Sequence, residues 1–168
     1  ITRYGDLPEG GEVAIERYEA MSDNGYASEQ ERYQYTVDAI SRWSSWSRIN
    51  VLKNAQMSME APMMTYTSDK EQVLPNTPVK LRFTALRNLS NLRVSVFKVN
   101  VSGNKEVGDI DNKNTFAALK PYVSSDTLQT VARQYTNPIW QTHSDSIVLA
   151  GLPVGVYLIE AKAGGTMN

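Results

Sequence analysis

The single histidine, His143, lies in the segment TNPIWQTHSDS beside Ser144, Asp145 and Ser146. Histidine, serine and a carboxylate are the groups of a hydrolytic triad, in which the imidazole acts as the general base. Neighbouring residues of a strand point to opposite faces, so sequence proximity alone does not assemble these groups into a triad. We therefore interpret His143 as a polar loop residue rather than as a catalytic base or a metal ligand.

The segment DIDNKN at residues 109–114 is a second candidate for chemistry. Asp109, Asp111 and Asn112 carry oxygen atoms of the kind that Ca²⁺ prefers. The segment lacks the glycine and the terminal glutamate that a calcium loop has at its usual spacing. A solvated loop is the better interpretation, and we predict neither a metal nor a cofactor for this chain.

Aromatic and methionine side chains are candidates for a binding surface. Six aromatic residues could form a platform on which a sugar stacks: Trp43, Trp46, Trp140, Tyr33, Tyr35 and Tyr66. The helical spacing of the first two tryptophans favours packing between elements instead. Four methionines stand where the sequence pattern changes: Met57, Met59, Met63 and Met64. They form either an adaptable binding surface or a filling for gaps in the core, and we favour the core.

Composition and charge exclude several classes of function. The chain has 168 residues, of which 41% are hydrophobic and 21% are charged, so it can bury a core without disulfides or metals. It contains no cysteine, which excludes disulfides, thiolate metal sites and cysteine nucleophiles. A net charge of -1 gives no electrostatic basis for binding nucleic acid or anionic lipid. Since no apolar run approaches the length of a membrane span, we predict no direct insertion into a membrane.

Residues 1–56 have the pattern of short amphipathic helices. The segment GEVAIERYEAMSDNG ends in the stop signal Asn24-Gly25, and Ser28 is a suitable N-cap for a second helix. Three- and four-residue spacing predicts an apolar stripe on this second helix: Tyr33, Val37, Ile40 and Trp43. The pair Ser44-Ser45 predicts a break before a third helical segment. Helices this short must pack on one another or on the rest of the chain.

After Ala61-Pro62 the apolar period changes to two, which is typical of antiparallel strands. The segment VKLRFTAL places on one face Val79, Leu81, Phe83 and Ala85. The segment NLRVSVFKVNV places on one face Leu92, Val94, Val96 and Lys98. The link between these two strands is short, which predicts a hairpin. For the ambiguous segment TLQTVARQYTN we favour a strand.

The last part of the chain contains two more predicted strands, in DSIVLAGLP and GVYLIEAKAG. Between them, residues 152–155 (LPVG) have the composition of a type I turn, which we interpret as a corner. Roughly six or seven strands with turn signals between them are typical of a β-sandwich. The sequence thus predicts an α+β fold, in which a helical lead-in at residues 1–56 precedes an antiparallel immunoglobulin-like β-sandwich at residues 57–168.

Three segments in order resemble the first macroglobulin domain of the large bacterial α-2-macroglobulin-like proteins. Residues 74–100, LPNTPVKLRFTALRNLSNLRVSVFKVN, are similar to its LP-x-x-P turn, its first long strand, its short link and its L-x-V-x-V-F/Y-K strand. Residues 143–161, HSDSIVLAGLPVGVYLIEA, resemble its closing hairpin. The segment APMMTY resembles its first strand. The resemblance covers about residues 58–164.

This resemblance implies a structural domain rather than an enzyme. Members of the family inhibit proteases by trapping them after cleavage of an exposed bait segment, and many capture the protease through a Cys–Gln thioester. Without cysteine, this chain holds no thioester. We expect a fragment of a larger periplasmic, envelope or secreted protein. Its expected partners are neighbouring domains of the same polypeptide and, through the parent protein, the target proteases.

Two other classes of function remain alternatives. The first is a cell-surface module with an immunoglobulin-like sandwich that binds glycan or protein. A solvent-facing aromatic cluster would favour it, whereas burial of Trp43 and Trp46 would count against it. The second is an enzyme, which would require a concave pocket joining His143 to an acidic side chain. The sequence offers no paired carboxylates, nucleophile elbow or glycine-rich phosphate loop in support of an enzyme.

Overall fold

The computed structural model describes residues 7–23, 25, 27–68, 73–101 and 117–164. The helices whose bounds lie within these ranges are α1 (Gly10–Asp23), α2 (Glu29–Arg42) and α3 (Asn50–Glu60). The strands are β1 (Met63–Ser68), β2 (Val79–Arg87), β3 (Asn91–Val99), β4 (Val123–Gln134), β5 (His143–Leu149) and β6 (Val156–Gly164). A short 3₁₀ helix (Lys120–Tyr122) precedes β4. The predicted α+β class is confirmed, and so is the strand predicted for TLQTVARQYTN.

The start of α2 is fixed by the side chain that the sequence predicts as its cap. The hydroxyl of Ser28 accepts a hydrogen bond from the backbone N–H of Glu31, whose carboxylate accepts one from the backbone N–H of Ser28 at 2.8 Å. This capping box satisfies two N–H groups that otherwise lack helical partners. Gly25 has a φ of +61°, as expected after a helix end, while Asn24 lies outside the described residues.

The helices share a small apolar core, but its face on α2 differs from the predicted stripe. The buried residues of α2 are Thr36 and Ala39, whereas Val37 and Ile40 are only half-buried. The small side chains at the contact allow α2 to approach α1 and α3 closely, and the Thr36 hydroxyl is satisfied by donating to the carbonyl of Tyr33 at 2.7 Å. The core residues are Ala14, Ile15, Ala39, Ile49 and Leu52. The helical pattern predicted to end at Gln56 continues to Glu60.

The strands form two antiparallel three-stranded sheets, in the orders β1-β2-β5 and β4-β3-β6. The predicted hairpin of β2 and β3 is wrong, because these strands belong to different sheets. The link between them passes from one sheet to the other at Asn88, which has a φ of +50°. The closing hairpin implied by the resemblance is wrong for the same reason, since β5 and β6 do not pair. The corner predicted at residues 152–155 lies at that second crossing.

The two sheets share one apolar core, made of Leu81, Phe83, Leu86, Leu92, Val94, Val96, Ile147 and Leu149. Register shifts alter the predicted faces at two points. Leu86 is buried and Ala85 only half-buried, because the β2–β5 register shifts between Phe83 and Leu86. In β3, the register against β4 shifts on both sides of Phe97. Consequently Lys98 is exposed and Val99 is buried.

One side of the paired sheets is fastened by side chains. Gln129 of β4 donates to the carbonyl of Ala150 at 3.0 Å and accepts from its N–H at 2.9 Å. The Tyr135 hydroxyl, just after β4, donates to Asp145 of β5 at 2.8 Å. Since β4 therefore lies beside β5, the sheet orders place β1 and β6 together on the opposite side.

None of the described helices has the length and apolar character needed to cross a bilayer.

Candidate functional site

A groove of about 490 Å³ runs between α1 and α2. Its lining is mostly apolar and includes Leu7, Val13, Ala14, Tyr35, Ala39 and Trp43. The Val13 side chain is 57% exposed, so the groove is open to solvent. A second depression of about 400 Å³ shares Arg17, Tyr35 and Asp38 with it and extends it along the two helices.

Two glycines at the start of α1 let tryptophan rings pack against its backbone. A Cβ atom at Gly10 would lie 2.5 Å from Nε1 of Trp43, and one at Gly11 would lie 2.6 Å from Cγ of Trp46. Glu12 fixes the second ring, because its carboxylate accepts a hydrogen bond from Trp46 Nε1 at 3.0 Å. The same carboxylate pairs with Arg48. The predicted packing role of Trp43 and Trp46 fits these contacts.

Cations lie over aromatic rings at the edge of this groove. The guanidinium of Arg17 is 5.3 Å from the ring centre of Tyr35, and that of Arg42 is 5.1 Å from the ring of Trp43. Carboxylates of Glu9 and Asp38 also line the groove. The mixture of charges favours neither anions nor cations, so the groove offers apolar and van der Waals contact above all.

His143 is the first residue of β5, not a loop residue as predicted. Both of its ring nitrogens are shielded from solvent and have no hydrogen-bond partner, and the ring of Tyr135 meets it edge-on at 4.9 Å. Ser144 and Ser146 are exposed, whereas Asp145 is half-buried, as strand alternation requires. The structure therefore does not bring these residues together as a triad.

Asp145 is engaged by other groups. It accepts the hydroxyl of Tyr135, lies 3.7 Å from Nε of Arg133, and accepts the backbone N–H of Ser146 at 2.7 Å. Burial raises the pKa of Tyr135 above its ordinary value, and the hydrogen bond to Asp145 adds to this effect. The tyrosine is thus held as a neutral donor, which suits a structural tie between β4 and β5.

Polar contacts join α2 to the sheets. Glu29 accepts hydrogen bonds from the backbone N–H of Thr142 at 3.0 Å and from its hydroxyl at 2.7 Å. The ring of Tyr33 stacks on Trp140 at 6.1 Å, and its hydroxyl donates to Glu60 at 2.8 Å. Burial raises the pKa of Tyr33, as does its bond to Glu60. Sequence reasoning missed the Glu29–Thr142 contact, because nothing local relates residues so far apart in the chain.

The structure divides the predicted aromatic platform among three places. Trp43, Trp46 and Tyr35 belong to the helices, Trp140 and Tyr33 form the junction, and Tyr66 is 61% exposed on β1. The side chains of this set therefore form no single surface for a sugar.

The methionines are equally dispersed. The core interpretation is wrong for Met57, which is 68% exposed, and Met64 is 37% exposed. Neither apolar core contains Met59 or Met63.

Metal-ligating groups and known relatives add no further assignment. Over the described ranges, His, Asp and Glu side chains form no group of three or more that could hold a metal ion. The predicted loop with Asp109, Asp111 and Asn112 lies outside those ranges. No family model matches the chain, and neither a curated protein nor a solved structure matches it.

Proposed function

We propose that this chain is a structural, non-catalytic domain of a large bacterial α-2-macroglobulin-like protein that traps proteases in the cell envelope or outside the cell. In this proposal the two sheets are a macroglobulin-type, immunoglobulin-like sandwich, and the helices support it. Its direct partners are neighbouring domains of the same polypeptide. Target proteases meet the parent protein rather than this domain.

The observation that carries the proposal is a contact between two of the segments that resemble the family. The turn LPNTP and the corner AGLPVG are far apart in sequence, yet the N–H of Asn76 donates to the carbonyl of Leu152 at 2.7 Å. The backbone of Asn76 comes so close to Gly151 that a Cβ atom there would lie 2.2 Å from its carbonyl carbon. The two motifs therefore contact each other and together form one corner of the sheets.

The environment of His143 supports a non-catalytic function. A general base needs a ring nitrogen that can reach substrate, and both nitrogens of His143 are shielded from solvent. The nearby carboxylate of Asp145 is already bonded to Tyr135. The carboxylate therefore ties the residue after β4 to β5, and the imidazole packs edge-on against the ring of Tyr135.

The test is made on the parent protein that contains this chain. It is incubated with a panel of proteases while cleavage, residual protease activity and molecular shape are followed. We expect one limited cut, loss of activity toward large substrates with retention toward small peptides, and compaction in small-angle scattering. The control is the 168-residue chain alone, which should neither inhibit a protease nor change shape.

Two results would contradict the proposal. Degradation of the parent without trapping would remove the inhibitor function. Stoichiometric inhibition or substrate turnover by the isolated chain would place the activity in this domain instead.

A second candidate function, a protein-binding surface module, is favoured by the groove between α1 and α2. Its apolar lining and the exposed side chain of Val13 resemble a helix- or peptide-accepting groove. The half-buried Trp43 and Trp46 argue against a glycan platform. Loss of binding to a partner protein in Val13→Glu, but not in the exposed control Glu16→Gln, would support this candidate.

A further inference from the structure

The strand β6 presents a long and regular edge. It pairs with β3 over its whole length, from Val99 opposite Val156 to Asn91 opposite Gly164, without a shift of register. It is the last strand of its sheet, so its other side has no neighbouring strand among the described residues. A regular edge of nine residues with a free row of backbone donors and acceptors is a template for pairing with another strand.

The other edges are less suited to pairing. β1 has six residues and a register shift between Thr65 and Tyr66. On the opposite side, Gln129 holds β4 to the backbone of Ala150 just after β5. The apolar side chain of Ile159 on β6 is 39% exposed, and on β1 Met64 is 37% exposed. The open side of the sheets is therefore the β1/β6 side, and β6 is its regular strand.

The charges of β6 select a partner. Glu160 and Lys162 flank Ala161, lie on the same face of the strand and pair with each other at 2.9 Å. In an antiparallel pair of two β6 strands centred on Ala161, Glu160 of each copy lies opposite Lys162 of the other. The apolar face then sets Ile159 opposite Ala163, a large residue against a small one. Opposite charges across an antiparallel pair stabilise it, while like charges destabilise it.

We propose that β6 pairs antiparallel with β6 of a second copy of this chain, about a two-fold axis at Ala161. The two sheets β4-β3-β6 then become one continuous sheet across the interface. A two-fold axis produces both Glu160–Lys162 contacts at once, as an isologous interface requires. The surface is independent of the α1–α2 groove and of any protease-trapping function.

Charge exchange on the full chain tests this interface, with association measured by sedimentation equilibrium. Glu160→Lys alone places lysine opposite lysine, and Lys162→Glu alone places glutamate opposite glutamate. Each single variant should weaken dimerisation by about tenfold or more, because two contacts change sign. Mixing the two single variants should restore a dimer that contains one copy of each.

The mixture separates the contact between copies from the contact within one strand. In the mixture each β6 still lacks its own Glu160–Lys162 pair, so only pairing between copies explains a restored dimer. The double variant Glu160→Lys/Lys162→Glu should dimerise like the natural chain. Asp126→Lys on the exposed face of β4 is the matched control and should not alter dimerisation, and circular dichroism verifies that every variant folds.

Three outcomes would overturn the proposal. The natural chain could stay monomeric at concentrations of about a millimolar, where even weak specific pairing is populated. Dimerisation could be insensitive to both single charge changes, or the mixture could associate no better than its components. Any of these would assign the β6 edge to another occupant or leave it to solvent.

Discussion

Gly11 lies where the first turn of α1 meets the indole ring of Trp46, and this contact reverses an ordinary rule of helix stability. Replacing an exposed helical glycine with alanine usually stabilises a protein by about 1 kcal/mol. At Gly11 the new Cβ would lie 2.6 to 2.7 Å from three atoms of Trp46. We expect Gly11→Ala to lower the free energy of unfolding by about 1 to 3 kcal/mol, measured by urea denaturation.

The control for this substitution is Ser22→Ala, an exposed position of the same helix. It should have a small effect or a stabilising one, because alanine is the better helix former. A Gly11→Ala variant as stable as the natural chain would mean that Trp46 moves aside without cost, and the packing argument would fail.

Gly151 also has no room for a Cβ atom, and its neighbours are less able to move than those of Gly11. Here the atoms that a new Cβ would meet belong to the backbone of Asn76 and Thr77, which cannot rotate away as a side chain can. We expect Gly151→Ala to lower the free energy of unfolding by more than about 2 kcal/mol, which is in the upper part of the range for overpacked sites. Gly155→Ala is the control, since its nearest contact is the hydroxyl of the Tyr157 side chain at 3.0 Å. Equal costs in thermal denaturation would contradict the importance of this corner.

The capping box of α2 makes the stability of this element depend on pH. The backbone hydrogen bond from Ser28 lowers the pKa of Glu31 below 4.5, and the Ser28 hydroxyl adds to this effect. A carboxylate whose pKa is lower in the folded state contributes stability above its unfolded pKa and loses it as the pH falls through the folded pKa. We expect the urea midpoint to decrease on acidification below about pH 4.5.

Glu31→Gln tests the origin of that decrease, since glutamine accepts the same bonds without a charge. Its urea midpoint should be lower than that of the natural chain near neutral pH, and the acid slope should be smaller. Glu19→Gln, at an exposed position of α1, is the control with an unchanged slope. If Glu31→Gln leaves the slope intact, other carboxylates produce the acid dependence.

At the scale of helices and strands, local signals in the sequence predict where the elements lie but not which elements pair. Ser28 is recognisable as a cap because its partner Glu31 is three residues away. The short link between β2 and β3 suggests a hairpin, because link length says nothing about which sheet the next strand joins. The shift that buries Leu86 depends on the partner strand β5, far away in sequence. The α2 face with Thr36 and Ala39 was missed because close helix approach selects small side chains rather than the most apolar ones.

For the candidate site, the sequence correctly indicated that Trp43 and Trp46 pack within the helices. It could not indicate the groove itself, in which Trp43 and Trp46, just after α2, pack against Gly10 and Gly11 of α1 while Val13 stays exposed. Paired glycines at a predicted helix start are a usable signal for such an approach. The position of His143 was also beyond local reasoning, since the ring that covers it comes from Tyr135, after another strand.

At the scale of the whole molecule, the described residues form two separate apolar cores, one among the helices and one between the sheets. The contacts that join them are mainly polar, such as Glu29 with Thr142. Separate cores with few apolar contacts between them are expected to unfold in separate steps. Leu52→Ala should therefore lower the free energy of unfolding of the helices by about 2 to 5 kcal/mol. Leu92→Ala should lower the free energy of unfolding of the sheets by a similar amount.

Each substitution serves as the control for the other, because both leucines are fully buried in different cores. The helix signal is followed by circular dichroism and hydrogen exchange of α1 to α3, and the strand signal by hydrogen exchange of β2 and β3. Coincident transitions that move together in both variants would show a single cooperative unit.

The contact between Glu29 and Thr142 spans 113 residues of chain. During synthesis the helices leave the ribosome before the strands, and the residues of the helical core all precede β1. The contact between Glu29 and Thr142 cannot form until the residues after β4 have emerged. Vectorial synthesis thus makes the helices available before the sheets, and contact of the helices with Thr142 becomes possible only late in synthesis.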